Sequence, residues 1–154
     1  MSEDERATRH NAQCIESYKL LESARERANH EREGGFSSKD WRECMLKEFK
    51  PRFKNNTPYE WQIDVAEALE LGLDCLLIAG TGRGKTIPFP LVLMSDTTHR
   101  RKILVVVPLL LLQYDQVDRF RDMGLHAVAV NADTFNEKLK KVSFLRITTQ
   151  FSLS

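Results

Sequence analysis

The residues with the clearest chemical potential form the segment AGTGRGKT, which runs from Ala79 to Thr86. Its glycines let backbone N–H groups turn toward an anion without a Cβ in the way. Lys85 can reach the β and γ phosphates of a nucleotide, and the Thr86 hydroxyl can bind Mg²⁺. The spacing from Ala79 to Gly84, Lys85 and Thr86 is that of a phosphate-binding loop. A structural glycine turn without a ligand is the alternative.

The segments on either side of this loop favour phosphate binding. The apolar run CLLI (75–78) precedes the loop, and IPFPLVLM (87–94) follows it. An apolar run of strand length without alternation is typical of a strand that is covered on both faces. A helix is predicted to begin near Gly84, where its N-terminal dipole would favour an anion. The predicted order is therefore strand, loop and helix.

The same alternation of strands and helices continues along the chain. Further strands are predicted at Lys102–Val107 (KILVVV), His126–Val130 (HAVAV) and Phe144–Thr148 (FLRIT). The helix between the first two places Leu109, Leu110, Val117 and Phe120 on one face and ends at Gly124, and 134–141 is predicted to be helical. Such alternation predicts an α/β fold with a mostly parallel sheet flanked by helices.

The part of the chain before the first predicted strand divides at a pair of glycines. Residues 2–33 are highly charged, with a thin apolar stripe of Ile15, Tyr18 and Leu21, which indicates a solvated or partly disordered helix. Gly34 and Gly35 end it, so we predict a charged extension over 1–36 and a domain over 37–154. A short helix is expected from 37–40 to Pro51. Thr57 and Glu60 form a predicted capping box for a helix that ends at Gly72.

Composition excludes several other classes of protein. The 154 residues are 42% apolar, enough for one core, and 23 basic residues nearly balance 22 acidic ones. The three cysteines have no CxxC spacing, which favours a reduced, intracellular protein, and the isolated histidines do not suggest a zinc site. The longest apolar run, 103–112, is too short for a membrane span and contains Pro108. We therefore expect a soluble protein with no membrane partner and no metal site other than Mg²⁺ bound with ATP.

Three segments resemble the first RecA-like lobe of superfamily 2 helicases of the DEAD/DEAH-box type, and among them the RecQ-like ATP-dependent DNA helicases. PYEWQ (58–62) is similar to the glutamine motif, AGTGRGKT (79–86) to motif I, and VPLLLLQYDQV (107–117) to motif Ia. GLHAVAVNADT (124–134) resembles the next strand and turn of the family. The resemblance covers roughly 39–149 and implies an incomplete RecA-like P-loop NTPase lobe with a charged helical N-terminal extension.

The resemblance also implies a role for particular residues, with ATP and Mg²⁺ as cofactors. Gln62 would select adenine, Lys85 would have a catalytic role at the β and γ phosphates, and Thr86 would bind Mg²⁺. The nucleotide-binding residues would be Gln62, Ala79, Gly80, Thr81, Gly82, Arg83, Gly84, Lys85 and Thr86. Nucleic acid, with DNA preferred over RNA by the resemblance alone, would be contacted by Pro108, Leu109, Gln116, Thr148 and Thr149.

Departures from the family pattern leave the activity open. Leu111 stands where the family often has serine, and Gln150 where glutamate is usual. The sequence ends at Ser154, before the position expected for the DExH/D box and for a second lobe with its arginine finger. We therefore expect weak Mg-ATP binding and no catalysis by these residues alone.

Three functional hypotheses follow. The first is the ATP-binding part of a RecQ-like DNA helicase, which in the complete family unwinds DNA in the 3′ to 5′ direction and is nuclear. The second is a noncatalytic nucleotide- or nucleic-acid-binding fragment of a truncated or degenerate helicase gene. An unrelated P-loop kinase is the third, but the sequence offers neither its arginine-bearing lid nor its substrate pocket. The oligomeric state is left open.

Overall fold

A computed structural model of the chain describes residues 2–54, 56–96 and 101–134. These residues form five helices, and no strand occurs among them. The helices are α1 (Glu3–Glu31), α2 (Ser38–Arg52), α3 (Glu60–Glu70), α4 (Pro88–Met94) and α5 (Leu110–Asp122). The predicted strand Phe144–Thr148 lies outside the described residues, as does nearly all of the predicted helix 134–141.

The charged N-terminal segment forms one long helix, α1. Its first turn is closed by a capping box, in which the Glu5 N–H donates to the Ser2 hydroxyl and the Ser2 N–H donates to the Glu5 carboxylate. Of the predicted apolar stripe only Leu21 is buried, since Ile15 and Tyr18 are exposed. The buried stripe instead continues through Ala24 and Ala28, because small residues allow close helix packing.

Helices α2 and α3 lie close to their predicted positions. The Ser37 hydroxyl accepts a hydrogen bond from the Asp40 N–H at the start of α2, and Pro51 lies in its last turn. The predicted Thr57–Glu60 capping box at α3 is wrong, because the helix begins at Glu60 and the Gln62 side chain accepts from the Tyr59 N–H. Gly72 follows the end of α3 with a left-handed φ of 77°, as the sequence predicts.

The chain divides into two compact units. The first unit comprises Met1–Lys47 and Pro58–Pro88, and the second comprises Glu48–Thr57 and Phe89–Ser154. The core of the first unit joins α1 to α3 and consists of Leu21, Ala24, Ala28, Ala68 and Leu71, with Phe36 and Leu73 packed against it. Buried apolar residues described in the second unit are Phe49, Leu91, Val92, Val107, Val117, Phe120, Ala129 and Val130.

The predicted mostly parallel α/β sheet is wrong for the described residues. The runs 75–78, 102–107 and 126–130 are irregular and form no strand ladder. Leu76 and Ile78 are 92% and 90% exposed, where a doubly covered strand would bury them. The physical reason is that a strand exists only when another segment pairs with its N–H and C=O groups, and an apolar run cannot provide that partner by itself.

The helices after the glycine loop differ in how well the sequence anticipates them. Helix α4 begins at Pro88, four residues beyond the predicted start at Gly84, so the loop is not the first turn of a helix. Helix α5 agrees with the prediction, and Gly124 follows its end with a φ of 75°. Val117 and Phe120 are buried on its inner face, whereas Leu109 and Leu110 are exposed. Within the described residues, no helix is both long and apolar enough to cross a bilayer.

Candidate nucleotide site

The glycine loop 79–86 leaves most of its backbone donors unused. The Arg83 N–H donates to the Gly80 carbonyl at 3.4 Å. The N–H groups of Thr81, Gly82, Lys85 and Thr86 donate to no acceptor among the described residues. Gly82 and Gly84 have left-handed φ values of 78° and 69°, which glycine adopts without the steric cost of a Cβ. Free N–H groups around such glycines can bind an anion.

Lys85 is directed back onto its own loop. Its Nζ donates to the carbonyl oxygens of Ala79 and Gly80, at 2.9 and 3.1 Å. The side chain is exposed, so a phosphate can approach it. A phosphate is a stronger acceptor for an ammonium than a neutral carbonyl is, because the hydrogen bond then joins opposite charges. The hydroxyl of half-buried Thr86, one residue later, has no partner within the described residues.

Gln62 connects the start of α3 to the loop. It is only 2% exposed, and its Oε1 accepts from the Tyr59 N–H at 2.8 Å. Its Nε2 donates to the carbonyl oxygens of Gly84 and Arg83, at 2.9 and 3.2 Å. Both ends of the amide are therefore used within the chain. The sequence predicted an amide free to read adenine, but it did not predict this connection.

Gly84 fits tightly under the Gln62 side chain. A Cβ on Gly84 would lie 2.8 Å from Gln62 Nε2 and 3.2 Å from Ile87 Cγ1. The left-handed φ of Gly84 adds backbone strain for any other residue. The position thus requires glycine for two independent reasons.

Helix α3 also carries a buried carboxylate that the sequence analysis missed. The Glu67 side chain is fully buried and accepts hydrogen bonds from the guanidinium groups of Arg25 and Arg42, at 2.5–2.9 Å. Burial opposes its ionisation, but the hydrogen bonds from Arg25, Ser38 and Arg42 outweigh burial and lower the pKa of the Glu67 carboxyl. The one sequence feature that could have indicated this carboxylate is the three- and four-residue spacing of acidic residues along α3.

The residues predicted to contact nucleic acid lie in the second unit. Pro108 and Leu109 are exposed, and Gln116 is half-buried on α5. Thr148 and Thr149 lie outside the described residues. Among the predicted site residues, the structure brings Gln62 to Gly84 and Arg83, and Lys85 to Ala79 and Gly80.

Two buried amides hold together the segments 107–117 and 124–134. Gln113 Nε2 donates to the Val130 carbonyl at 3.1 Å, and Asn131 Nδ2 donates to Gln113 Oε1 at 2.8 Å. Asn131 also donates to the Tyr114 hydroxyl at 3.2 Å. Gln113 was not among the residues predicted from the sequence to have a role. Its position could have indicated burial, because this amide lies on the same helix face as Val117 and Phe120.

A groove of about 620 Å³ lies elsewhere in the first unit, between α1, α2 and α3. Its walls include Tyr18, Lys39, Leu46 and Glu60, and no residue of the glycine loop. The groove is therefore separate from the candidate phosphate site.

A comparison with protein families shows to which family a chain with this glycine loop belongs. A family model described as DEAD/DEAH box helicase matches residues 59–151, which is more than half of the chain. The chain belongs to the DEAD/DEAH box helicase family. The match includes Gln62, the glycine loop and α5, and a DEAD/DEAH box helicase domain indicates a nucleotide-binding function of helicase type. No curated relative and no solved structure is significantly similar to the chain.

Membership in the DEAD/DEAH box helicase family confirms the broader prediction from the sequence. The family typically uses ATP with Mg²⁺ and acts on nucleic acid. The match begins at Tyr59, so α1 and α2 precede the part of the chain that defines the family. The family match therefore assigns no role to these two helices.

Proposed function

We propose that the glycine loop binds Mg-ATP and that the chain is the ATP-binding part of a RecQ-like DNA helicase. In the complete family, such enzymes unwind DNA in the 3′ to 5′ direction. The observation that carries the ATP proposal is the set of unused N–H groups at Thr81, Gly82, Lys85 and Thr86, in the same loop as the Lys85 ammonium. Backbone donors and a lysine at this spacing match the chemistry of a triphosphate.

Each residue of the loop has a distinct part in this proposal. The backbone from Thr81 to Gly84 holds phosphate oxygens, and Lys85 exchanges its two carbonyl partners for the β and γ phosphates. Thr86 offers its hydroxyl to Mg²⁺, which when bound neutralises phosphate charge. Gln62 would read adenine through its Oε1, which would exchange the Tyr59 N–H for the adenine amino group, while its Nε2 keeps the hydrogen bonds to Gly84 and Arg83.

The nucleic-acid part of the proposal rests on the start of α5. Its N-cap residue, Leu109, supplies no side-chain hydrogen bond, so the first-turn N–H groups need another acceptor. A nucleic-acid phosphate is a suitable acceptor for such groups. Pro108, Leu109 and Gln116 would make this contact, together with Thr148 and Thr149. The preference for DNA and the nuclear location follow from the similarity of 107–117 to RecQ-like helicases.

Titration of a fluorescent ATP analogue in the presence of Mg²⁺ tests the loop. Removal of the Lys85 ammonium by Lys85→Ala is expected to weaken binding about ten- to hundredfold, since a charge-assisted hydrogen bond contributes about 1.5–3 kcal/mol. Lys47→Ala on α2 is the matched control, because Lys47 is exposed and has no partner within the described residues. Equal affinity of the Lys85→Ala variant and the wild type would overturn the proposal.

Two further comparisons test the finer assignments. Competition by unlabelled GTP should be at least about tenfold weaker than competition by ATP if Gln62 reads adenine. Fluorescence anisotropy with single-stranded DNA and RNA of the same sequence should favour DNA. Tighter binding to RNA would contradict the RecQ-like assignment without affecting the ATP proposal.

A further inference from the structure

The face of α3 that contacts α1 and α2 is a row of acidic side chains. Glu60, Asp64, Glu67 and Glu70 recur every three or four residues and so lie on one side of the helix. Three of them are bound by Tyr18 and Arg25 on α1 and by Arg32, the residue that follows the end of α1. Tyr18 Oη donates to Asp64 at 3.2 Å, Arg25 Nη2 to Glu67 at 2.6 Å, and Arg32 Nη1 to Glu70 at 3.0 Å.

Helix α2 binds the same row through Arg42, in addition to the hydrogen bond from Ser38 to Glu67. The Arg42 guanidinium donates to Glu60 at 2.9 Å and also to Asp64 and Glu67. Glu67 is the member of the row shared by Arg25 and Arg42, and its side chain has no exposed surface. A buried carboxylate is costly unless it is paired, so α1 and α2 together hold α3 at this point.

The same helix carries the residue that holds the glycine loop. Gln62 precedes Glu67 by five residues, which corresponds to about 7.5 Å along the helix axis. Gln62 donates to Gly84 and Arg83, and the contact leaves little free space, since a Cβ on Gly84 would lie 2.8 Å from Gln62 Nε2. Gln62 and Glu67 lie on the same 11-residue helix, α3, so a displacement of this helix at Glu67 would also displace Gln62.

We propose that Glu67, clamped by Arg25 and Arg42, is a positioning residue that fixes α3 and thereby holds Gln62 and the glycine loop in the form that accepts the triphosphate. The two arginines lie before Tyr59, outside the part of the chain that matches the family. The N-terminal helix α1 is then a determinant of nucleotide affinity, although it contributes no residue to the loop. This inference rests on the proposed function of the loop as an ATP site.

A double-mutant cycle between Arg25 and Gln62 tests this coupling. Arg25→Ala should weaken binding of the fluorescent ATP analogue three- to tenfold in the otherwise wild-type chain. In a Gln62→Ala background, the same substitution should change the affinity less than twofold, because the connection to the loop is already broken. Arg27→Ala is the matched control on the same helix, since Arg27 is exposed and has no partner among the described residues.

Equal effects of Arg25→Ala in both backgrounds would overturn the proposal, because a merely structural role reduces affinity independently of Gln62. An unchanged affinity in the single variant would overturn it as well. If circular dichroism shows that Arg25→Ala does not fold, Arg25→Lys replaces it in the cycle, since lysine keeps the charge but loses the two-point contact with Glu67.

Hydrogen exchange separates a failure of this inference from a failure of the proposed function. Without nucleotide, the amides of Tyr59 and Ile87, which donate to Gln62 Oε1 and to the Gly84 carbonyl, should exchange at least threefold faster in Arg25→Ala than in the wild type, and Arg27→Ala should match the wild type. If exchange is faster but the chain does not bind ATP, the coupling between Glu67 and the loop stands and the proposed ATP site is wrong. Unchanged exchange would overturn the coupling whether or not ATP binds.

Discussion

Gly84 shows how one residue can be constrained both by its backbone and by its neighbour. The sequence predicted a glycine here for the approach of a phosphate. The structure adds a left-handed φ of 69° and a Gln62 amide that occupies the space of a Cβ. Gly34 has a similar φ of 84° but no atom within 4 Å of a Cβ position. Substitution of the two glycines therefore separates the effect of the neighbouring side chain from that of the backbone conformation.

We predict that Gly84→Ala weakens ATP binding at least about tenfold, because the new methyl group displaces Gln62 and distorts the loop. Gly34→Ala should leave ATP affinity unchanged. Urea unfolding should show a loss of about 1 kcal/mol for Gly34→Ala, from backbone strain alone, and a larger loss for Gly84→Ala. Similar affinities of the two variants would show that the contact with Gln62 is unimportant for the loop.

At the scale of elements, helices were predicted well where their signals are local. Pro51 near the end of α2, Gly72 after α3 and Gly124 after α5 mark these ends, as the sequence indicated. The start of α3 was predicted wrongly, because Gln62 rather than Glu60 accepts the hydrogen bond at its first turn. Partners distant in sequence, such as Arg25 and Glu67, gave no local signal at all.

The junction of α1, α2 and α3 should be sensitive to acid through Glu67. The pKa of its carboxyl is lowered in the folded chain, so folding favours the ionised form. The resulting stabilisation is complete above the ordinary glutamate pKa of about 4.3, and it is lost as the pH falls through the lower folded value. The direction is therefore destabilisation toward acid pH.

We predict that Glu67→Gln reduces the free energy of unfolding by about 3 kcal/mol at pH 7, since both arginines lose the buried carboxylate that they share. As the pH falls below the ordinary glutamate pKa of about 4.3, the wild type should lose stability more steeply than the variant, so the difference in the free energy of unfolding narrows. Urea unfolding at several pH values measures this. Glu26→Gln, at an exposed position of α1, is the control. Parallel pH profiles of wild type and Glu67→Gln would contradict the prediction.

At the scale of the whole molecule, most of the buried apolar residues among those described lie in helices. Leu91 on α4 is 1% exposed, whereas Leu76, in the predicted first strand, is 92% exposed. The exposure of Leu76 is the sharpest departure from the predicted sheet. It also gives a direct test, because the same substitution can be made at both leucines.

We predict that Leu91→Ala reduces the free energy of unfolding by about 2–5 kcal/mol, because it leaves a cavity in buried surroundings. Leu76→Ala should change it by less than about 0.5 kcal/mol, since an exposed side chain makes few contacts. Thermal or urea unfolding of both variants measures the difference. Equal, large losses would indicate that 75–78 is a buried strand after all.

The sequence by itself determined the glycine loop, the lysine and threonine that end it, and the helices whose caps are encoded nearby. These features depend on residue types at short spacing, and the family match at 59–151 confirms the broader helicase interpretation. Only the tertiary structure decided that Gln62 joins α3 to Gly84, that Glu67 lies between Arg25 and Arg42, and that the apolar run at 75–78 has no strand partner among the described residues. Hydrogen bonds and ion pairs of this kind join residues far apart in the chain, and their formation depends on which surfaces meet rather than on the local sequence.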